Sequence, residues 1–334
     1  MADSKKRTKQ TVINPEKFGV SFSLKQCKDF KINQIDTLGF LIHTVGLRRF
    51  RLMSYWNEHE KSRGKYDFKG LDEQVSCIES SGGIITLCLG VRQPRWPESH
   101  WPDWALHLPK KERYQALYEF IEIVVKRYQN IGCIVSWQLE NEALNRSFGT
   151  NGDFNRSRLR AEYRLVSNLD PSRPIIMSTS NTWGLPLRRP IPKLFGFTLY
   201  QVQYENNAYI RTKTPAWWCN IRAKIIHIVT WRSSFIHELQ AEPWGPKAVW
   251  EMSTEEQDRS MSPEQLGTNI KLAEKTNLHP IDLWGGEWWY WRHLQNDDTI
   301  WQTVRDHLTS DAVYCLYEEK GRQISPHSKP SRTV

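Results

Sequence analysis

Short apolar runs alternate along the chain with longer stretches in which apolar residues recur every three or four positions. The runs are FGVSFS (18–23), RRFRLMSYW (48–56), GIITLCLG (83–90), CIVSWQLENE (133–142), PIIMSTS (174–180), LFGFTLYQ (194–201), SSFIHELQ (233–240) and IDLWGGEWW (281–289). Each is rich in aliphatic, β-branched or aromatic residues and is bounded by turn formers, the pattern of a buried strand. Between them, KERYQALYEFIEIVVKRYQN (111–130) puts Leu117, Phe120, Ile121 and Val124 on one helical face and stops before Gly132. SPEQLGTNIKLAEKTN (262–277) opens with Ser262, Pro263 and Gln265, which suit an N-cap, a first-turn proline and a capping box. RSRLRAEYRLVSNLDPSRP (156–174) reads as a helix closed by a turn before the fifth run. Eight strands with intervening helices predict one α/β unit over residues 14–312, a parallel (β/α)8 barrel of the TIM type. A doubly wound open sheet would carry a Gly-rich phosphate loop after its first strand, and FGVSFSLKQ has none.

Composition narrows the partners. With 39% hydrophobic and 25% charged residues the chain has the balance of a globular domain. Its net charge of +9 draws heavily on the two ends, where Lys5, Lys6, Arg7 and Lys9 face Asp3 alone and KGRQISPHSKPSRTV is also basic. Residues 1–13 and 313–334 are therefore expected as basic disordered tails. No basic stripe or nucleic-acid module lies between them, so no nucleic-acid partner is expected. Six cysteines (27, 77, 88, 133, 219 and 315) show no CxxC pair and read as free thiols of a reducing compartment. No apolar segment follows the basic start and none is long enough to span a bilayer, which points to a cytoplasmic location. AWWCNIRAKIIHIVTW (216–231) could lie on a membrane surface through its aromatic and basic residues, but such segments are more often ordinary helices packed on a sheet. Nothing in the sequence specifies an oligomeric state.

The chemistry sits at the strand ends, where barrel enzymes assemble their sites. Glu142 closes the fourth run and Glu238 the seventh, and these strands lie on opposite sides of an eight-stranded barrel. Two carboxyls facing each other across the mouth suit glycosidic cleavage, in which one protonates the leaving oxygen and the other attacks the anomeric carbon. Glu140 competes with Glu142, since residues two apart on a strand share a face, and Glu242 competes with Glu238. Glu287 is a third inward carboxyl, suited to binding a sugar hydroxyl. Trp96, Trp101 and Trp104 lie among prolines in GVRQPRWPESHWPDW (90–104), and Trp96 is the best candidate for a platform under a sugar face.

Four stretches carry a family resemblance. WQLENE resembles the fourth-strand signature of clan A retaining glycoside hydrolases, and HELQAEPWG their seventh-strand nucleophile segment. YWNEHEKSRGKYDFKGLDEQV (55–75) is similar to the second-strand region of several clan A families, β-galactosidase-like ones included, and LWGGEWWYW to a Trp-bearing eighth strand. The resemblance, including to cellulase-like families, covers roughly residues 18–295. It implies a retaining β-glycosidase without cofactor, with Glu142 as general acid/base and Glu238 as nucleophile. It further implies that Asn141 bonds the sugar 2-hydroxyl, Tyr200 orients the nucleophile, Arg51 keeps it ionised, and Trp284 and Trp288 line the sugar pocket. The implied substrate is a β-linked gluco-, galacto-, manno- or xylo-type sugar.

Competing readings lose their leads. HELQA begins like a zinc protease motif but has Ala241 where histidine is needed, and the ten histidines include no i,i+4 pair, so no metal is expected. No G-x-S-x-G elbow occurs. A barrel that binds carbohydrate without cleaving it, or a transglycosylase using the same residues, remains the alternative.

Overall fold

The computed structural model describes residues 8–146, 148–180, 185, 187–309 and 312–317. Eight parallel strands close into a barrel: β1 (Phe18–Phe22), β2 (Arg49–Met53), β3 (Ile84–Leu89), β4 (Ile134–Leu139), β5 (Ile175–Thr179), β6 (Leu194–Leu199), β7 (Ser233–Gln240) and β8 (Ile281–Trp284). They pair in chain order, and β8 bonds back to β1. Helices cover the barrel, so both strand faces are buried. Val20, Phe50, Leu52, Leu87 and Ile236 are wholly inaccessible, which is why the runs read as continuous rather than alternating.

The three predicted helices form where their patterns place them. Lys110–Tyr128 buries Leu117, Phe120, Ile121 and Val124. Pro263–Glu274 starts at Ser262, whose hydroxyl accepts from the Gln265 N–H, and Arg156–Leu169 starts at Asn155, whose side chain caps Ser157 and Arg158.

Two regions depart from expectation. The eighth run was expected to extend to residue 289, but the strand stops at Trp284 and a helix, Gly286–His293, begins after one residue. Gly285 makes that corner at φ 134°, and a Cβ there would meet the Glu242 Cβ at 2.6 Å, so glycine is required on two counts. The expected tails each contribute a strand instead, because Thr8–Ile13 pairs antiparallel with Ala312–Tyr317. Residues 1–7 and 318–334 lie outside the described residues. The helix Ala216–Thr230 buries Cys219, Arg222 and Ile226 and turns Trp217, Ile221, Ile228 and Val229 outward, so its apolar residues are divided between the barrel and the surface. Among the described residues no helix is long and apolar enough to cross a membrane.

One irregularity shapes the mouth. The register of β7 against β6 shifts between Ile236 and Glu238, leaving His237 as an extra residue. Such bulges re-aim side chains. Here the neighbours His237 and Glu238 both reach interior partners, Gln138 and Arg51 respectively.

Candidate active site

The site grows upward from a buried arginine. Arg51 on β2, 1% exposed, donates from Nε to Gln138 Oε1 (2.7 Å), from Nη1 to Glu238 Oε2 (3.0 Å) and from Nη2 to Asn141 Oδ1 (3.0 Å). One guanidinium thus ties β2, β4 and β7 together. Below it, His237 lies between Gln138 Oε1 (2.8 Å) and Asp282 Oδ2 (2.6 Å), and Asp282 also accepts from Arg49 (2.9 Å). Burial opposes the charge on Asp282, but Arg49 and His237 outweigh it and hold the carboxyl below the usual range.

Above the arginine, the two expected carboxyls meet different surroundings. Glu238 accepts from Arg51 and, through Oε1, from the Tyr200 hydroxyl at 2.7 Å. Among the described residues Glu142 accepts from neutral groups, Asn145 Nδ2 (2.6 Å) and the Thr198 hydroxyl (3.2 Å). Burial raises the Glu142 pKa, and the charge of Glu238 adds to the rise.

Backbone conformation separates Glu142 from Glu140. Beyond Leu139 the chain leaves the strand, and both glutamates take left-handed φ values, 53° and 43°, so strand alternation no longer governs them. Glu140 accepts from the Val91 and Arg92 N–H groups and pairs with Arg158 at 2.9 Å, which also binds Glu162. It anchors the β3 and β4 loops. Asn141 between them accepts from Arg51 and from the Ser178 hydroxyl (2.8 Å), and that hydroxyl accepts from the Glu142 N–H.

Sequence reasoning missed Arg95, Glu98, His237 and Trp244. Glu98, in the Pro-rich loop after β3, is 4% exposed, and its Oε2 accepts from Asn141 Nδ2 at 3.0 Å. One of the two Asn141 N–H groups is therefore already used. Burial pushes the Glu98 pKa up to about 8, a shift to which Glu238 and Glu142 contribute. Below about pH 4.5 this carboxyl is protonated folded or unfolded; above that the unfolded chain loses the proton first, so stability falls until about pH 8. Glu98→Gln should therefore resist alkaline unfolding better than the parent, with the gain developing between about pH 4.5 and about pH 8 in denaturation midpoints.

The remaining expected binding residues are placed unequally. Trp96 is 58% exposed at the rim and contacts Phe148 (5.7 Å between centroids), which contacts Trp244 (5.7 Å), which contacts Tyr200 (5.6 Å). This aromatic chain runs from the β3 loop to the end of β6. Trp101 is buried and Trp104 half-buried, donating to the Glu60 carbonyl. Trp284 donates to Glu242 Oε1 (2.7 Å), while the Arg95 guanidinium covers its ring at 4.0 Å. Arg95 in turn pairs with Glu242 and Glu287. Glu287 is wholly buried and also accepts from the Ser23 N–H; burial pushes its pKa up to about 6. Trp288 is not brought to the mouth. It is inaccessible within the helix Gly286–His293, donates to Gln257 and lies against the Arg292 guanidinium, 5.4 Å from its ring. Among the described residues no group of three His, Cys, Asp or Glu could hold a metal.

No family profile matches the chain. β-Galactosidase 14 of Arabidopsis thaliana is 27% identical over 156 residues, which is 41% of this chain and 17% of that protein. β-Galactosidase 13 of the same plant is 26% identical over 156 residues and matches over 18% of its own length. Solved structures match over more of the chain. A family 10 endo-β-1,4-xylanase from Gloeophyllum trabeum superposes with TM-score 0.57 at 13% identity, covering 81% of this chain and 84% of the xylanase. The GH5_18 protein of Streptomyces cattleya, solved with GlcNAc, gives 0.58 at 11% identity over 81% of this chain and 70% of its own. A β-galactosidase from Halorubrum lacusprofundi gives 0.53 at 13% identity, over 80% and 52%. The fold is that of the glycoside hydrolase barrels. In this barrel Glu142 stands just beyond β4 and Glu238 near the end of β7, three strands apart around the ring. The chain spans only a small part of the curated relatives it matches, so their activities belong to those longer proteins.

Proposed function

We propose that the chain is a retaining β-glycosidase that works by double displacement, with Glu142 as general acid/base and Glu238 as nucleophile. The observation carrying this reading is the contrast between the two carboxyls. Glu238 accepts from a guanidinium and a phenol, which stabilise a carboxylate, whereas Glu142 has neutral partners and is pushed toward its protonated form. A pair of acids with opposed environments is what acid-assisted displacement needs.

In the first step a Glu238 oxygen bonds to the anomeric carbon as the glycosidic bond breaks, and the Glu142 proton passes to the leaving oxygen. In the second, Glu142 takes a proton from water as that water attacks the anomeric carbon and releases Glu238. Arg51 and Tyr200 hold the nucleophile, and the second N–H of Asn141 is left for a sugar hydroxyl. Trp96, Phe148 and Trp244 supply the aromatic wall of the mouth, and Trp284 supports Arg95 and Glu242. The substrate is a β-linked neutral hexose or pentose in its glycone part. Five described cysteines are free, which fits a reducing compartment.

Glu142→Ala tests the acid role. The kcat/KM of glycosides with poor leaving groups should fall by about 10²–10⁴-fold, and that of dinitrophenyl glycosides by far less, since these depart without a proton. The parent should lose activity as pH rises through a Glu142 pKa lying above the ordinary carboxylate value, and this limb should vanish in the variant. Equal losses on both leaving groups would count against the role.

A further inference from the structure

Glu142 has a second face. A cavity of about 710 Å3 is lined by Glu142 and Asn145 beyond β4, by Met177 and Ser178 on β5 and by the start of the helix Arg156–Leu169, while Glu238 takes no part in it. Its volume lies in the range of small-molecule sites. Apart from Glu142, every charged residue on its wall among the described residues is an arginine: Arg146, Arg156, Arg188 and Arg222.

Three of these arginines have no acidic partner among the described residues. Arg156 donates to the Arg189 carbonyl (3.2 Å), Arg146 lies over the Phe154 ring (5.7 Å), and neither these two nor Arg188 forms an ion pair among the described residues. Arg222 is buried, stacks on Phe197 at 4.5 Å and donates to the Ser180 carbonyl at 3.3 Å. The Arg156–Leu169 helix adds the positive end of its dipole. Arg146 and Arg188 are exposed and Arg156 is half-buried, so water screens them in part, yet all three give the cavity rim a positive potential that favours an anion. By contrast, the mouth on the Glu238 side gathers Glu98, Glu238, Glu242 and Glu287 around Arg51 and Arg95. The two faces of Glu142 therefore have opposite charge preferences.

We propose that the arginine-lined cavity receives the leaving group, and that this leaving group carries a carboxylate, sulfate or phosphate on the sugar next to the scissile oxygen. This rests on the reading of Glu142 as the acid, since the group it protonates must occupy space that Glu142 lines. Guanidinium forks bind all three anions in bidentate fashion. The glycone remains neutral and the aglycone supplies the charge.

Reactivation of a trapped intermediate isolates this face. The protein is first stalled with an activated 2-deoxy-2-fluoro β-glycoside, and acceptors are then offered: methyl glucoside, methyl glucuronide, glucose 6-sulfate and glucose 6-phosphate. Transfer breaks the ester between the anomeric carbon and Glu238, forms a bond from that carbon to an acceptor oxygen, and delivers the acceptor proton to Glu142. An anionic acceptor should work at roughly tenfold lower concentration than methyl glucoside, a charge-assisted contact being worth about that much. The advantage should shrink in high salt and in the Arg146→Ala/Arg188→Ala double variant. Preference for the uronate, the sulfate or the phosphate identifies the natural group. Equal use of neutral and anionic acceptors, or an advantage untouched by the double variant, overturns the proposal. If no fluoroglycoside labels the protein, the retaining reading fails instead, and calorimetric titration with the same four compounds still reads the cavity. Arginine-dependent binding of an anion there supports it, and no binding overturns it.

Discussion

Glu238→Gln should lower kcat by at least about 10⁴-fold while the protein stays folded, because loss of a nucleophile removes the covalent route altogether. Glutamine preserves the volume, keeps an oxygen to accept from Arg51 Nη1 and places its amide toward the Tyr200 hydroxyl. What it lacks is the negative charge that the proposed attack on the anomeric carbon requires. Circular dichroism and steady-state kinetics on the same preparation separate loss of chemistry from loss of structure. Turnover near the parental rate in a folded Glu238→Gln protein would remove Glu238 from the reaction.

Arg51→Met should have the largest effect on stability, lowering the free energy of unfolding by about 3–5 kcal/mol, the cost of removing one partner from a buried ion pair. The guanidinium side chain is fully inaccessible, and its loss strips a donor from Glu238, Asn141 and Gln138 together. Methionine keeps the length of the stem but offers no donor. Activity should fall as well, since Glu238 and Asn141 lose the group that fixes their positions relative to each other. Denaturant titration measures the first effect, and kcat well below the unfolding transition measures the second. A variant as stable as the parent would mean that the ion pair is not the keystone of the mouth.

The barrel was legible because a parallel strand buried on both faces leaves an unbroken apolar run, and the chain holds eight of them. The last was overextended. EWW offered aromatic residues that suit strands, and the corner at Gly285 was read through rather than as a stop. The pairing of Thr8–Ile13 with Ala312–Tyr317 joins the two ends of the chain, a contact that neither basic segment announces by itself.

The candidate site was partly legible for a similar reason. Strand order alone puts the ends of β4 and β7 across from each other, and Arg51, Asn141, Glu142, Tyr200 and Glu238 do gather there. The distinction between Glu140 and Glu142 was not, because it depends on two left-handed backbone positions and on Arg158, a partner 18 residues away. Arg95 and Glu98 come from a loop without periodicity. Their importance lies in contacts with Glu242, Glu287 and Asn141, which are distant along the chain. The prolines of PRWPES marked that loop as rigid, and a rigid loop beside a strand-end carboxyl was the available signal.

Intact-mass analysis and peptide mapping after incubation with a panel of activated 2-deoxy-2-fluoro β-glycosides test the central claim most directly. The fluorine slows both steps and the good leaving group restores the first, so a retaining enzyme stalls as its glycosyl ester. The account predicts one adduct, on the peptide that carries Glu238, formed with a neutral β-glycoside and absent in Glu238→Gln. An adduct on Glu242, Glu287 or Glu98, or hydrolysis of ordinary β-glycosides with inverted configuration and no adduct at all, would contradict it.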